Sequence, residues 1–169
     1  ITRGERLAVL GPNGAGKTTM FNAIAGDITP TEGRVLIKGI DCTHLPSRVR
    51  PRLGVARTYQ KTRLFSGLSV EDNLYLAQTG RHGPHLSLWR KRRDGELRER
   101  AREAAAAVWL VDELESDVGD LSHGQQRQLE IGVALVTEPD PIMLDEPASG
   151  LSRGERERLI ELLNALPAA

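Results

Sequence analysis

Gly11-Pro12-Asn13-Gly14-Ala15-Gly16-Lys17-Thr18 is the stretch that decides how the chain is read. It fits G-x-x-x-x-G-K-[ST]. It stands between an apolar run, Leu7-Ala8-Val9-Leu10, and a helix-forming segment, Lys17 to Ala25. Strand, loop and helix in that order are the context in which this spacing builds a phosphate cradle, the P-loop. The glycines let successive backbone N–H groups converge on one point without Cβ clashes. The helix that starts near Lys17 adds the positive end of its dipole. Lys17 brings a point charge to the outer phosphates. Thr18 offers a hydroxyl to Mg²⁺, which prefers oxygen donors in octahedral geometry. A glycine-rich turn with a surface lysine would not require all the fixed positions and the flanking pattern to agree.

The bulk numbers set bounds around that site. The 169 residues suffice for one domain with a core and a small subdomain. Lys plus Arg number 23 and Asp plus Glu number 23, so the chain carries no net field to collect nucleic acid or anionic membrane. The single cysteine, Cys42, rules out an internal disulfide and fits a reducing compartment. No apolar run approaches the roughly 18 residues of a membrane span. The opening Ile1-Thr2-Arg3-Gly4-Glu5 lacks an initiator Met and starts in mid-element, which reads as a piece of a longer protein.

Along the chain the pattern predicts a strand over 6–10, the P-loop, a helix over 17–25 and a C-cap at Gly26. A short strand over 34–38 closes at Gly39, one helical turn follows over 46–50, and a strand over 53–59 ends at Gln60. Ser69-Val70-Glu71-Asp72 has the spacing of a capping box and starts a helix to about Gln78. A long charged helix follows over 94–110, with Leu97, Ala101, Ala104, Val108 and Val111 as its apolar stripe. Ser122-His123-Gly124-Gln125 opens a helix that carries Leu129, Val133 and Val136 inward. Glu138-Pro139-Asp140-Pro141 stops it. Ile142-Met143-Leu144 reads as a buried strand, and Ser152-Arg153-Gly154-Glu155 opens a last helix to about Ala165.

Several polar residues stand at the ends of these elements. Asp145 follows the apolar run 142–144, where a carboxylate can hold Mg²⁺ through water opposite Thr18. Glu146 lies where the chain turns, so it can polarise a water against the terminal phosphate. Gln60, with a donor and an acceptor, can touch Mg²⁺, water and a mobile loop together. Ser122 is both an N-cap and a hydroxyl at a positive helix end.

Leu121-Ser122-His123-Gly124-Gln125, just ahead of the Asp145 strand, resembles the L-S-G-G-Q signature of ATP-binding-cassette (ABC) ATPases. P-loop, glutamine loop, helical insertion, signature and Asp145-Glu146 follow in that family's order over essentially the whole chain. The resemblance implies an α/β fold: a P-loop NTPase core with a mainly parallel sheet, lacking its first and last strands here, and an inserted helical subdomain. The implied divisions are 1–65 for the first part of the core, 66–119 for the insertion, and 120–169 for the signature helix and the Asp145 part.

Two such domains are expected to stack head to tail around two ATPs. Gly11, Pro12, Asn13, Gly14, Ala15, Gly16, Lys17, Thr18 and Thr19 of one copy then hold each nucleotide against Ser122, Gly124 and Gln125 of the other. Thr18, Gln60 and Asp145 are the implied Mg²⁺ ligands, and Glu146 and Gln60 the catalytic pair. Integral membrane permeases would grip the surface of Arg63, Leu64, Phe65 and the helix from Ser69, and a substrate-binding protein would join indirectly. Local core packing is an equal reading of Leu64-Phe65. The expected place is cytoplasmic, peripheral on the inner face of the cell membrane, with no nucleic-acid partner. The family's adenine-stacking aromatic and switch histidine fall outside residues 1–169, so this stretch alone is expected to hydrolyse ATP weakly.

Ala56-Arg57-Thr58-Tyr59-Gln60, Arg63-Leu64-Phe65, residues 121–131 and Asp145 to Leu151 look like the branched-chain amino-acid uptake ATPases. Urea and short-amide importers are the alternative cargo class. His123 departs from the signature's first glycine, and Ser152 stands where many members carry an aspartate. The basic run Trp89 to Arg93 is balanced by the acidic Asp112 to Asp117, which favours a solvated loop over a lipid contact. A non-transport ABC ATPase is the rival of another class, disfavoured by the short insertion. A GTPase would need an Asn-Lys-x-Asp motif, and a kinase an acceptor site.

Overall fold

A computed structural model describes residues 5–12, 14–58, 64–82, 90–139 and 141–166. Helix α1 (Lys17–Ala25) follows the P-loop, with Gly16 as N-cap at φ 84 and Gly26 as C-cap at φ 81. Only glycine takes such angles without strain. At Gly26 a Cβ would also lie 3.1 Å from the Cα of Ser47, so the close approach of the next turn requires glycine too.

The predicted strand over 34–38 is half of a hairpin instead. Strand β1 (Leu36–Ile37) pairs antiparallel with β2 (Ile40–Asp41), with Leu36 opposite Asp41 and Ile37 opposite Ile40. Lys38 and Gly39 both have positive φ, 51 and 78. That is the requirement of a two-residue type I′ turn, which reverses the chain where the sequence reading placed a strand end. A 3₁₀ segment over Ser47–Leu53 then leads to β3 (Ala56–Arg57), shorter than predicted because the helical turn consumes its first residues.

Strand β3 runs parallel to β4 (Ile142–Met143), in register Ala56 to Ile142 and Arg57 to Met143. This is the parallel ladder expected of the core. Residues 5–12 pair with no strand among the described residues, and Leu7, Val9 and Leu10 stand exposed. The predicted strand over 6–10 therefore has no ladder here; a strand is defined by its neighbour, and apolar alternation cannot supply one.

Helix α2 (Val70–His82) starts at Ser69, whose Oγ accepts the Asp72 N–H at 3.1 Å, and runs past the predicted end. Helix α3 (Arg90–Ala107) ends earlier than predicted, at Trp109 with φ 60. Leu97, Ala101, Ala104 and Val108 are buried as the stripe requires, whereas Val111, beyond the helix, is half exposed. Helix α4 (His123–Leu135) begins with the full reciprocal box between Ser122 and Gln125, and α5 (Arg153–Ala165) with the same box between Ser152 and Glu155. Val136 caps α4 and is only partly buried, so the inward face is carried by Leu129, Ile131 and Ala134.

Two cores result. The larger joins α2, α3, α4 and α5 around Val70, Leu74, Val108, Leu129, Ile131 and Leu162. Gly132 lets two of these helices close: a Cβ there would sit 3.1 Å from Val108 Cγ2 and 3.3 Å from Leu74 Cδ2. The smaller gathers Ile37, Cys42, Val55 and Met143 beneath α1, with Phe21 and Ile24 packed on it. No helix among the described residues is long and apolar enough to cross a membrane.

Candidate functional site

The P-loop stands open. Gly14 and Gly16 have φ 82 and 84, and a Cβ on either would meet nothing within 4 Å. Helix α1 has no side-chain cap hydrogen bond, unlike α4 and α5, and no acidic residue in its first turn, unlike α5. Its first N–H groups and dipole are thus left to an anion from outside. Lys17 Nζ meanwhile turns back onto two neutral carbonyls, donating to Gly11 O at 2.6 Å and Pro12 O at 2.9 Å. An ammonium held only by carbonyls at the lip of an uncapped helix fits a polyphosphate. Asn13 lies outside the described residues; Gly11, Pro12, Ala15, Thr18 and Thr19 are exposed around the loop.

Asp145 is buried, 6% exposed, directly after β4. Arg57, also buried, donates from Nη2 to Asp145 Oδ2 at 3.0 Å. From Nη1 the same guanidinium reaches Asn22 Oδ1 at 2.8 Å and Asp27 Oδ2 at 3.1 Å. One side chain on β3 therefore ties the P-loop helix to the Asp145 strand. Thr18 lies four residues before Asn22, hence on the same face of α1, one turn nearer the phosphate end. A hydroxyl and a carboxylate on facing elements are the oxygen donors that suit Mg²⁺ when nucleotide oxygens complete the shell.

Glu146 is exposed, with φ 46. A non-glycine residue ahead of a proline is disfavoured in that region. The chain turns there, past the end of the strand, and leaves the residue exposed to solvent. Gln60 lies outside the described residues, as do Tyr59 and Arg63. The Leu64-Phe65 pair divides: Leu64 packs against the larger core and Phe65 is 59% exposed. Asn73 fixes that bend, its Oδ1 accepting Phe65 N–H at 2.8 Å and its Nδ2 donating to the carbonyls of Phe65 and Ser69. Trp89 is outside the described residues, and Arg90 to Arg93 begin α3 rather than a loop.

At the signature, Ser122 Oγ accepts Gln125 N–H at 3.2 Å and Gln125 Oε1 accepts Ser122 N–H at 2.9 Å. Gly124 N–H donates to Glu155 Oε1 at 2.9 Å. A Cβ at position 124 would come within 2.8 Å of that oxygen, so the glycine admits the carboxylate. Hydrogen bonds from the Ser152 side chain and backbone, then from the Gly124 N–H, hold the Glu155 carboxyl below its ordinary value of 4.5.

Arg57 and the second contact of Glu155 were not singled out by sequence reasoning. An arginine inside an otherwise apolar strand pattern was a signal for the first. No local signal existed for the second, since the box at 152–155 already accounted for Glu155.

An open P-loop tied to a buried aspartate, with a second capped helix end on the same chain, defines a nucleotide-binding cassette. The family described as ABC transporter matches residues 1–149, and the chain belongs to it. It is 39% identical over 168 residues to the high-affinity branched-chain amino acid transport ATP-binding protein LivG of Escherichia coli K12, covering 96% of this chain and 66% of that one. It is 36% identical to the thiamine import ATP-binding protein ThiQ of Brucella suis, covering 98% and 64%. A dimeric ATP-binding cassette solved in a post-hydrolysis state with ADP and Pi superposes with TM-score 0.77 at 29% identity, covering 96% and 69%. The chain spans about two thirds of the length of the curated relatives it matches.

Arg57→Met strands the buried Asp145 and is expected to cost about 3–5 kcal/mol of stability, read by denaturant unfolding. Arg57→Lys should recover part of that loss. Because the Glu155 carboxyl is depressed on folding, it stabilises the protein above its unfolded value and ceases to do so as pH falls through the folded one. Glu155→Gln is therefore expected to melt below wild type at neutral pH, with the gap closing as pH falls through and below the ordinary value of 4.5. A gap that stays constant across that range would contradict the assignment.

Proposed function

We propose that this chain is the ATP-binding and ATP-hydrolysing part of an ABC importer subunit, and that the cargo its permeases move is branched-chain or other hydrophobic amino acids. The observation that carries the reading is the Arg57 tie, which sets a buried carboxylate against the face of α1 below Thr18, beside an uncapped phosphate cradle. The division into 1–65, 66–119 and 120–169 belongs to this reading; the larger core packs the second part against the third, and Met143 packs the third against the first.

In this mechanism the N–H groups of Gly14 to Thr19 and the Lys17 ammonium bind the phosphates of ATP. Lys17 must then leave Gly11 O and Pro12 O, exchanging two neutral acceptors for charged ones that attract the ammonium directly. Thr18, Asp145 and Gln60 would hold Mg²⁺, which offsets charge on the phosphate oxygens. Glu146 accepts a proton from the attacking water at the terminal phosphate. Ser122, Gly124 and Gln125 of a second cassette meet that phosphate from the far side, supported by the dimeric ADP- and Pi-bound relative. ATP touches both copies and favours closure; loss of the terminal phosphate removes the bridging contacts and favours opening.

The exposed Phe65, held out by Asn73, marks the surface offered to a permease helix. On this reading the subunit docks at the inner face of the membrane that holds its permeases. LivG supports the amino-acid cargo; the transported molecule does not touch the cassette, so thiamine-type relatives remain compatible with the same machinery.

The test uses the full-length protein. Glu146→Gln should lower the rate of phosphate release from MgATP by about 10²–10⁴-fold while nucleotide binding persists. Equal loss of binding and turnover would contradict the assigned role. Co-expression with its membrane subunits should yield a complex that Asn73→Leu weakens without altering ATP binding; an unaffected complex would contradict the docking surface.

A further inference from the structure

Glu155 occupies the place where the first turn of α4 would receive an anion. Of the donors there, Gln125 N–H is taken by Ser122 Oγ, and Gly124 N–H by Glu155 Oε1 at 2.9 Å. We propose that Glu155 is a resident anion of the signature helix: it holds Gly124 N–H while protomers are apart, and it must withdraw toward Gln128 before the terminal phosphate carried by a second cassette can take that donor. The inference rests on the sandwich reading given above.

Three features of the structure fit a carboxylate that moves. First, its two oxygens do separate work. Oε2 accepts Ser152 N–H at 2.9 Å and caps α5, so Oε1 can leave Gly124 without uncapping its own helix. Second, a seat stands ready. A cavity of about 110 Å³ is lined by Ser122, Gly124, Gln128, Glu155 and Arg158. Gln128 is 4% exposed, and its Nε2 has no hydrogen-bond partner among the described residues. Buried amide donors are almost always paired, so an unpaired one on a residue that lines this cavity awaits an acceptor. Third, Arg158 lies three residues from Glu155 on the same face of α5, its guanidinium resting over the Trp109 ring at 5.9 Å. It offers compensating charge to a carboxylate pushed inward.

The competition is electrostatic. A phosphate arriving at Gly124 meets a like charge within a few ångströms, which disfavours binding until that charge withdraws. Glu155 also belongs to the helix reached from Asp145-Glu146 through the turn 147–152. Its displacement therefore reports nucleotide at the signature to the segment that bears the proposed base. In this role Glu155 is a positioning residue, acting through the Gly124 donor.

The experiment uses the full-length protein carrying Glu146→Gln, and reads by sedimentation the MgATP concentration that gives half-maximal dimer. Adding Glu155→Gln removes the resident charge and should lower that concentration about fivefold, the gap between a charge-assisted and a neutral hydrogen bond. MgATP binding to the monomeric P-loop should not change. An unchanged or raised concentration overturns the proposal, since a merely structural cap would weaken closure when lost. If Glu155→Gln does not fold, Gln128→Ala decides: loss of the second seat should raise the concentration, and no change or a fall overturns the proposal. A Glu146→Gln parent that never dimerises with MgATP rejects the sandwich and this inference together. A parent that dimerises normally while the variants fail the test rejects the Glu155 role alone.

Discussion

The guanidinium of Arg57 is the tie on which the site depends. It joins Asn22, Asp27 and Asp145, which lie 35, 30 and 88 residues from it in sequence. Backbone pairing of β3 with β4 brings Arg57 opposite Met143, but a ladder this short fixes position only along the strands. The buried ion pair fixes the third direction, the distance of α1 from the Asp145 strand. Removing one partner leaves an uncompensated buried charge, so the arrangement tolerates little drift. Both side chains of the pair are only 7% exposed, so water screens it little.

Helix N-termini divide into two kinds in this molecule. Those of α4 and α5 are closed by reciprocal boxes, and Glu155 reaches from one to the other. That of α1 is bare, with glycine at its cap and a lysine just inside. The difference follows from chemistry. A bare positive end costs stability in the empty protein and recovers it when phosphate arrives, whereas a capped end is stable alone and must exchange its cap to bind. Binding at α1 is thus a filling, and binding at α4 an exchange. An exchange is the more easily made conditional on a second event.

The local features were legible in the sequence. Gly26, the helix after the P-loop, and the Ser69, Ser122 and Ser152 starts each depend on neighbours within one turn of chain, and the structure has them as read. What eluded sequence reasoning was set by partners far away. The Lys38-Gly39 reversal looked like a strand end because residues 36 and 41 announce their pairing only when the turn is built. The run 6–10 looked like a strand because its apolar pattern is independent of whether a neighbour pairs with it. α3 reads as running to 110 because Val108 and Val111 continue its apolar stripe, though Trp109 takes φ 60 between them. In the site, the sequence singled out Asp145 but not Arg57, which holds it: an ion pair across 88 residues leaves no spacing to recognise.

The central claim is that one triphosphate is held by the bare end of α1 in one copy and the capped end of α4 in another. The most direct measurement is a structure of the full-length protein trapped with a slowly hydrolysed MgATP analogue. The account predicts that its terminal phosphate lies within hydrogen-bond reach of Lys17 Nζ on one protomer and of Ser122 of the partner subunit. A trapped complex in which the α4 end faces solvent, with the phosphates held by a single copy, would contradict it.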